Sequence, residues 1–168
     1  MTLAYYQNYI CFFTYKQLIM KLLAIYLAML SLLLLQSLQA QNTQVQKEVE
    51  KTIQSLVEYS VDKNLDKSMS FWSDSDDFTY IADGKQLNFT ELKQVYSDYF
   101  QNREQVKIIS QSYTVHAINQ YNAICIWEGT EKVKMKDQDE TVVNWIATLI
   151  MENKKGGWVI THGHTSHF

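Results

Sequence analysis

The stretch Trp158-Val159-Ile160-Thr161-His162-Gly163-His164-Thr165-Ser166 holds the densest chemistry in the chain. Side chains alternate across a strand. Trp158, Ile160, His162, His164 and Ser166 are therefore expected on one face, with Val159, Thr161, Gly163 and Thr165 on the other. Two imidazoles two residues apart on an aromatic-bearing face suit a pocket wall, as general base, hydrogen-bonding group or metal ligand. The plainer reading is that they bond neighbouring strands or helix ends. One imidazole alone identifies no reaction. Ser166 beside His164 lacks the third, orienting group of a nucleophilic pair. His116 would bring the imidazoles to three, enough for a zinc ion. Same-face neighbours on one strand are not a zinc signature, however, and no HExxH motif or cysteine pair supports one. No metal and no cofactor is expected.

Other polar residues say less. Asp74, Asp76, Asp77 and Asp83 are densely spaced in turn-like sequence and read as helix termination and solvation. The single arginine, Arg103, is expected in an exposed turn. Cys125 alternates with Ala123 and Trp127 and reads as a small buried apolar residue. Asn88-Phe89-Thr90 matches a glycosylation sequon. The aromatic residues are the better evidence for a cavity. Trp72, Trp127, Trp145, Trp158, Tyr80 and Tyr96 fall on apolar faces, where they either fill a core or line a pocket for a flat or apolar molecule. The expected ligand-binding set is Trp158, His162, His164, Tyr80, Tyr96, Trp127 and Trp145, with His164 and His162 the candidates for catalysis and a tyrosine hydroxyl as partner. Asn144 could add a polar contact, but its face is ambiguous.

The elements that position these groups follow from period and punctuation. Val45, Val49, Ile53, Leu56 and Val57 recur at helical spacing, and Thr43 with Gln46 fits a capping box, so a helix is expected over about Gln44 to Val61. Asn64 caps a short helix carrying Leu65, Met69 and Trp72. Phe78 to Ile81, Asp83-Gly84, and Lys85 to Leu87 read as a hairpin with a tight turn. Asn88 with Glu91 caps a third helix bearing Leu92, Val95, Tyr96, Tyr99 and Phe100. After Arg103 the period becomes two, and strands are expected near Val106–Ile118, Tyr121–Lys136, Glu140–Glu152 and Trp158–Ser166. Lys132, Lys134 and Lys136 alternate with Glu131, Val133 and Met135, giving that strand one solvated face. Helices followed by a run of strands mean an α+β fold with helices on one face of a sheet.

Leu22 to Leu35 form an uncharged apolar run after Lys21, followed by Gln36-Ser37-Leu38-Gln39-Ala40. This is the pattern of a signal peptide, and the run is shorter than the ~20 residues needed to span a bilayer. Residues 1–40 are expected to be the leader, with Met20 the true start, and residues 41–168 the exported domain, periplasmic or secreted. Cleavage would leave no membrane anchor. It would also remove Cys11, leaving Cys125 without a disulfide partner. The net charge of −3 becomes more negative once Lys16 and Lys21 leave, so nucleic acid is not an expected partner.

The closing pattern Trp158-x-Ile160-x-His162-x-His164-x-Ser166, after the order long helix, short helix, Asp-Gly hairpin, third helix and long strands, resembles the SnoaL-like and DUF4440 branch of the NTF2-like superfamily. The resemblance covers nearly all of 44–168. It implies a cone in which three N-terminal helices pack on a strongly curved antiparallel sheet around an apolar cavity. It also implies a homodimer through the outer face of that sheet. Members include isomerases, dehydratases, cyclases, an epoxide hydrolase and a kinase association domain, so the fold does not settle the function. With one arginine in the domain, the hydrolase arrangement is not supported. The expectation is a domain binding an unidentified small, partly apolar molecule. The alternatives are a lyase or isomerase using His164 or His162 as general base, or a non-catalytic dimerisation module.

Overall fold

The computed structural model describes the backbone from residue 3 to 168. Side chains are described from residue 20 onward, except 22, 24, 25, 37 and 38. Expectations for Cys11 and Lys16 lie outside the described residues. The chain divides into two compact units, Met1–Gln41 and Asn42–Phe168. The first is helical and exposes Tyr26, Leu27 and Met29, among other large apolar side chains. Among the described residues, no helix is long and apolar enough to cross a membrane.

The first helix, α1, runs Leu3–Val61. It ends where the apolar spacing ends, but it continues through Thr43, so that residue does not cap a helix start. Its 42–61 portion belongs to the second unit, and Val45, Val49, Ile53 and Leu56 are fully enclosed there. α2 (Leu65–Met69) starts at Asn64, whose side chain accepts the Lys67 N–H. β1 (Thr79–Ala82) and β2 (Lys85–Leu87) form the expected hairpin. Asp83 at φ 50° and Gly84 at φ 82° make its turn, the left-handed pair that a two-residue hairpin needs. α3 (Phe89–Asn102) opens on a reciprocal capping box. Asn88 accepts the Glu91 N–H, and its own N–H donates to the Glu91 carboxylate, both at 2.9 Å.

β3 (Arg103–Ala117), β4 (Asn122–Met135), β5 (Thr141–Lys154) and β6 (Gly157–His167) follow as the long strands. All six strands form one sheet in the order β2-β1-β6-β5-β4-β3. The helices pack on it in an α+β arrangement. The sheet is mixed, which corrects the antiparallel expectation: β1 pairs parallel to β6, with Tyr80 opposite Gly163. Alternation shows that a strand is half-buried, but it carries no information on which way its neighbour runs. Register shifts after Arg103 and after Ile108 add residues to β3 that its partner lacks, and such bulges bend a strand and increase its twist.

A third shift lies in β6 and decides the site. Ile150 pairs with His162 and Met151 with Ile160, which leaves Thr161 as the extra residue. Upstream of it, β6 bonds the 71–73 segment through Ile160. Downstream, it takes β1 as its neighbour. Trp158 and Ile160 point into the core, and beyond the bulge the inward positions become Gly163 and Thr165. His162, His164 and Ser166 therefore lie on the opposite face from Trp158. The single shared face expected from strict alternation is corrected.

Candidate functional site

Cone-shaped packing leaves a cavity of about 400 Å³ within the second unit. Leu56, Val57 and Val61 close it from α1, and Leu92, Tyr96, Tyr99 and Phe100 from α3. Tyr80, Ala82 and Leu87 come from the hairpin. The sheet supplies Val106 and Ile108, Trp127 and Val133, and Val143 and Trp145. Most of these groups are apolar. The polar residues in the wall are few: Ser60, Arg103, Glu131, Thr165, His167 and the tyrosines.

Two glycines give the aromatic walls their room. Gly163 lies opposite both Tyr80 and Leu149 in the sheet. A Cβ there would sit 2.7 Å from the Tyr80 ring and 3.0 Å from Leu149. At Gly129 a Cβ would meet the Trp145 ring and the Ser110 carbonyl at 2.5 Å. Trp145 lies across β4 at that point, packed edge-on to Trp127 with 5.4 Å between ring centroids.

Arg103 is 2% exposed, which corrects the expected surface turn. Its Nη2 donates to the carbonyls of Ser60 and Val61 at 2.6 and 2.9 Å. Both carbonyls lie in the last turn of α1, where Ser60 also accepts the Lys63 N–H at 3.2 Å and a cation meets the negative end of the helix dipole. Lys63 donates to the Arg103 carbonyl. The guanidinium stacks over the Tyr99 and Phe100 rings at 4.9 and 5.2 Å, an arrangement favoured by the negative ring faces. Arg103 thus joins α1, α3 and β3 at the cavity's edge.

Glu131 projects inward from β4, in phase with Trp127 and Val133. Its carboxylate accepts the Tyr99 hydroxyl at 3.4 Å. Burial pushes its carboxyl above the usual range, and the nearby Arg103 charge only partly opposes this. Burial likewise raises the Tyr99 hydroxyl. Across the cavity, Tyr80 and Thr165 share a 2.5 Å hydrogen bond, and burial raises the Tyr80 hydroxyl as well. His167 Nδ1 lies 2.8 Å from Asp83 Oδ2, and the His167 backbone N–H donates to Oδ1 at 2.9 Å. That backbone bond is the largest influence holding the Asp83 carboxyl below its usual range. The Asp-Gly turn therefore latches the end of β6 and holds one imidazole at the cavity wall. Together these groups can enclose an apolar body and present it with a carboxylate, an imidazole and a phenol.

Of the expected site residues, Tyr80, Tyr96, Trp127 and Trp145 meet in this wall. Trp158 does not. It is buried in the core, where its indole N–H donates to Glu48 of α1 at 3.0 Å and holds that carboxyl below its usual range. His162 and His164 also lie outside the wall, and His164 is exposed opposite Thr148. His116 is exposed on the outer face of β3, in the same cross-strand row as His162. Asp74, Asp76 and Asp77 are exposed and stand apart from the cavity. Cys125 is buried, and burial pushes its thiol up to about 12.

Sequence reasoning missed Glu131, Arg103, Thr165 and His167. The signal for Glu131 was present, since the lysines at 132, 134 and 136 mark the solvated face and place Glu131 on the other. His167 and Thr165 become visible only once the extra residue at Thr161 is known.

A family model described as a SnoaL-like domain matches residues 49–168. No curated protein matches the chain. Solved structures share the architecture. A protein of the NTF2-like family from Streptomyces avermitilis superposes with a TM-score of 0.65 at 14% identity, covering 76% of this chain and 98% of its own. A candidate scytalone dehydratase from Novosphingobium aromaticivorans gives 0.70 at 7% identity, covering 77% of this chain and 88% of its own. An NTF2-like superfamily protein from Salmonella enterica serovar Typhimurium gives 0.65 at 12%, covering 74% and 91%. At such identities the likeness is one of fold.

Proposed function

The chain belongs to the SnoaL-like domain family of the NTF2-like superfamily, and from that premise we propose that its cone cavity binds a small, partly apolar molecule. One observation carries the reading: a cavity of about 400 Å³ whose wall is mostly apolar and aromatic, with few polar groups converging on it. Ligand sites have that composition and lie in that size range, about 300–1,000 Å³. The test is titration of the full chain with Nile red, a neutral apolar fluorophore, beside native mass spectrometry of the protein as purified from cells. Saturable dye binding that is lost in Val106→Trp, which fills the rim, is the expected result. Dye binding unchanged by that substitution would refute the reading.

A second reading is acid–base catalysis of the lyase or isomerase kind. It is favoured by an inward carboxyl whose proton affinity is raised, with a carboxylate-held imidazole in the same wall. Because His162 and His164 lie outside the cavity, the base in this reading is Glu131, with the Asp83–His167 pair in support. Exchange of the α-proton of an apolar ketone into deuterated water, abolished by Glu131→Gln, would support it. Exchange equal in the variant would exclude Glu131.

Two further parts of the proposal concern setting. Residues 1–40 act as a cleaved leader for export to the periplasm or medium, supported by the charge and apolar pattern of 21–40. The exported protein should begin at Gln41 by N-terminal sequencing. A homodimer forms through the outer sheet face, supported by the exposure there of Ile146 and Ile150 beside His162 and His164. Ile150→Glu should then convert a dimer to a monomer in light scattering.

A further inference from the structure

Glu131 is the carboxylate of the cavity wall, and little of its acceptor capacity is used. The Tyr80 hydroxyl is held by Thr165 and the His167 Nδ1 by Asp83. The Arg103 Nη2 is spent on two helix-end carbonyls, and its charge lies over two aromatic rings. The Arg103 Nε and the indole N–H groups of Trp127 and Trp145 lack partners, but they are fully enclosed and offer no surface to a ligand. Glu131 receives one long bond from Tyr99, and among the described residues no ion pair reaches it. A carboxylate removed from water without a full complement of donors is costly to ionise, and a bound cation that donates to it recovers that cost.

The rings around it complete the pattern. Tyr96, Tyr99, Trp127 and Trp145 present aromatic surface to the same space, and aromatic faces attract an organic cation. An anionic ligand would instead meet a carboxylate in a poorly hydrated cavity.

Resting on the reading that this cavity takes a ligand, we propose that the ligand is a hydrophobic organic ammonium whose N–H donates to the Glu131 carboxylate while its apolar body lies against the Trp127–Trp145 pair. Tyr99 then serves as a positioning residue, orienting the carboxylate through its hydroxyl. Arg103 contributes through structure, joining the helices that carry Tyr99 and the cavity's edge.

The test uses three probes on one skeleton, naphthylmethylamine, naphthylmethanol and naphthoate, titrated calorimetrically into the full-length chain and its Glu131→Gln variant. The amine should bind about tenfold or more tightly than the alcohol, since a charge-assisted bond exceeds a neutral one by about that factor, and naphthoate should bind weakest. In Glu131→Gln the amine should fall to the level of the alcohol. Retained alcohol binding shows that the variant cavity is intact. Amine affinity should also decline as pH falls through the raised Glu131 value, where the carboxyl takes up a proton, while alcohol affinity stays constant. Equal binding of amine and alcohol to the unaltered protein would overturn the ammonium proposal and leave the ligand-binding reading standing. An amine preference that survives in the variant would overturn the role of Glu131. Failure of all three probes to bind would overturn both readings.

Discussion

Gly163→Ala probes the contact on which the cavity's inner wall rests. Gly163 is buried between Tyr80 and Leu149, and an added methyl would stand 2.7 and 2.8 Å from two Tyr80 ring carbons. The ring has little freedom to yield. Its hydroxyl is bonded to Thr165 at 2.5 Å, and its other side packs edge-on to Trp72 with 5.0 Å between centroids. Overpacking of this kind costs about 1–3 kcal/mol. Against it stands a gain of about 0.4–1 kcal/mol, because alanine restricts the unfolded chain more than glycine does. The net loss should be about 1–2 kcal/mol, or roughly 4–10 °C in Tm for a domain of this size. Urea unfolding of the full chain, followed by tryptophan emission, reads this directly. Gly156→Ala is the control: nothing lies within 4 Å of a Cβ there, so it should be neutral or slightly stabilising. Tyr80→Ala destabilises by itself, but adding Gly163→Ala to it should cost less than Gly163→Ala alone, because the ring clash has gone and only the 3.0 Å approach to Leu149 remains. If Gly163→Ala matched the unaltered protein, or if the two substitutions were additive, the assigned phase of β6 after Thr161 would be wrong.

Arg103→Met removes the charge-assisted bonds to the half-buried Ser60 and Val61 carbonyls, of which Ser60 keeps its Lys63 donor, and should cost about 1–3 kcal/mol by chemical denaturation. Asp83→Asn should cost about 1 kcal/mol or less at neutral pH, since the pair it weakens is half exposed. Because the Asp83 carboxyl is held below its unfolded value, its contribution is present above that value and is lost as pH falls through the folded one. Unfolding curves of the two proteins should therefore converge in acid. His162→Ala with His164→Ala should leave Nile red binding unchanged, because both imidazoles lie on the sheet face opposite the cavity. Weakened dye binding in that double variant would return them to the site.

Much of the architecture was legible because local chemistry writes it. The Asn88–Glu91 box, the Asp83-Gly84 turn, the spacing of Val45, Val49, Ile53 and Leu56, and the change of period after Arg103 each depend on neighbours in sequence. The candidate site was legible in part. Tyr80, Tyr96, Trp127 and Trp145 reach the cavity wall because strand and helix phase is regular up to their positions. Trp158 occupies the core instead, since its indole finds Glu48 across the helix. Arg103 looked like a surface residue because its partners are carbonyls more than forty positions away.

The sequence by itself determined the order and kind of the elements and the apolar face each must bury, because those follow from periodicity within single segments. It also determined that one inward position of β4 would be a carboxylate. Tertiary structure decided which end of β6 faces the cavity. Thr161 is left unpaired where β6 exchanges the 71–73 segment for β1 as its neighbour. One unpaired residue turns every later side chain to the other face. That single step moved His162 and His164 to the outer surface and brought Thr165 and His167 to the cavity. No pattern within 158–166 encodes it, because its cause is the change of partners across the sheet.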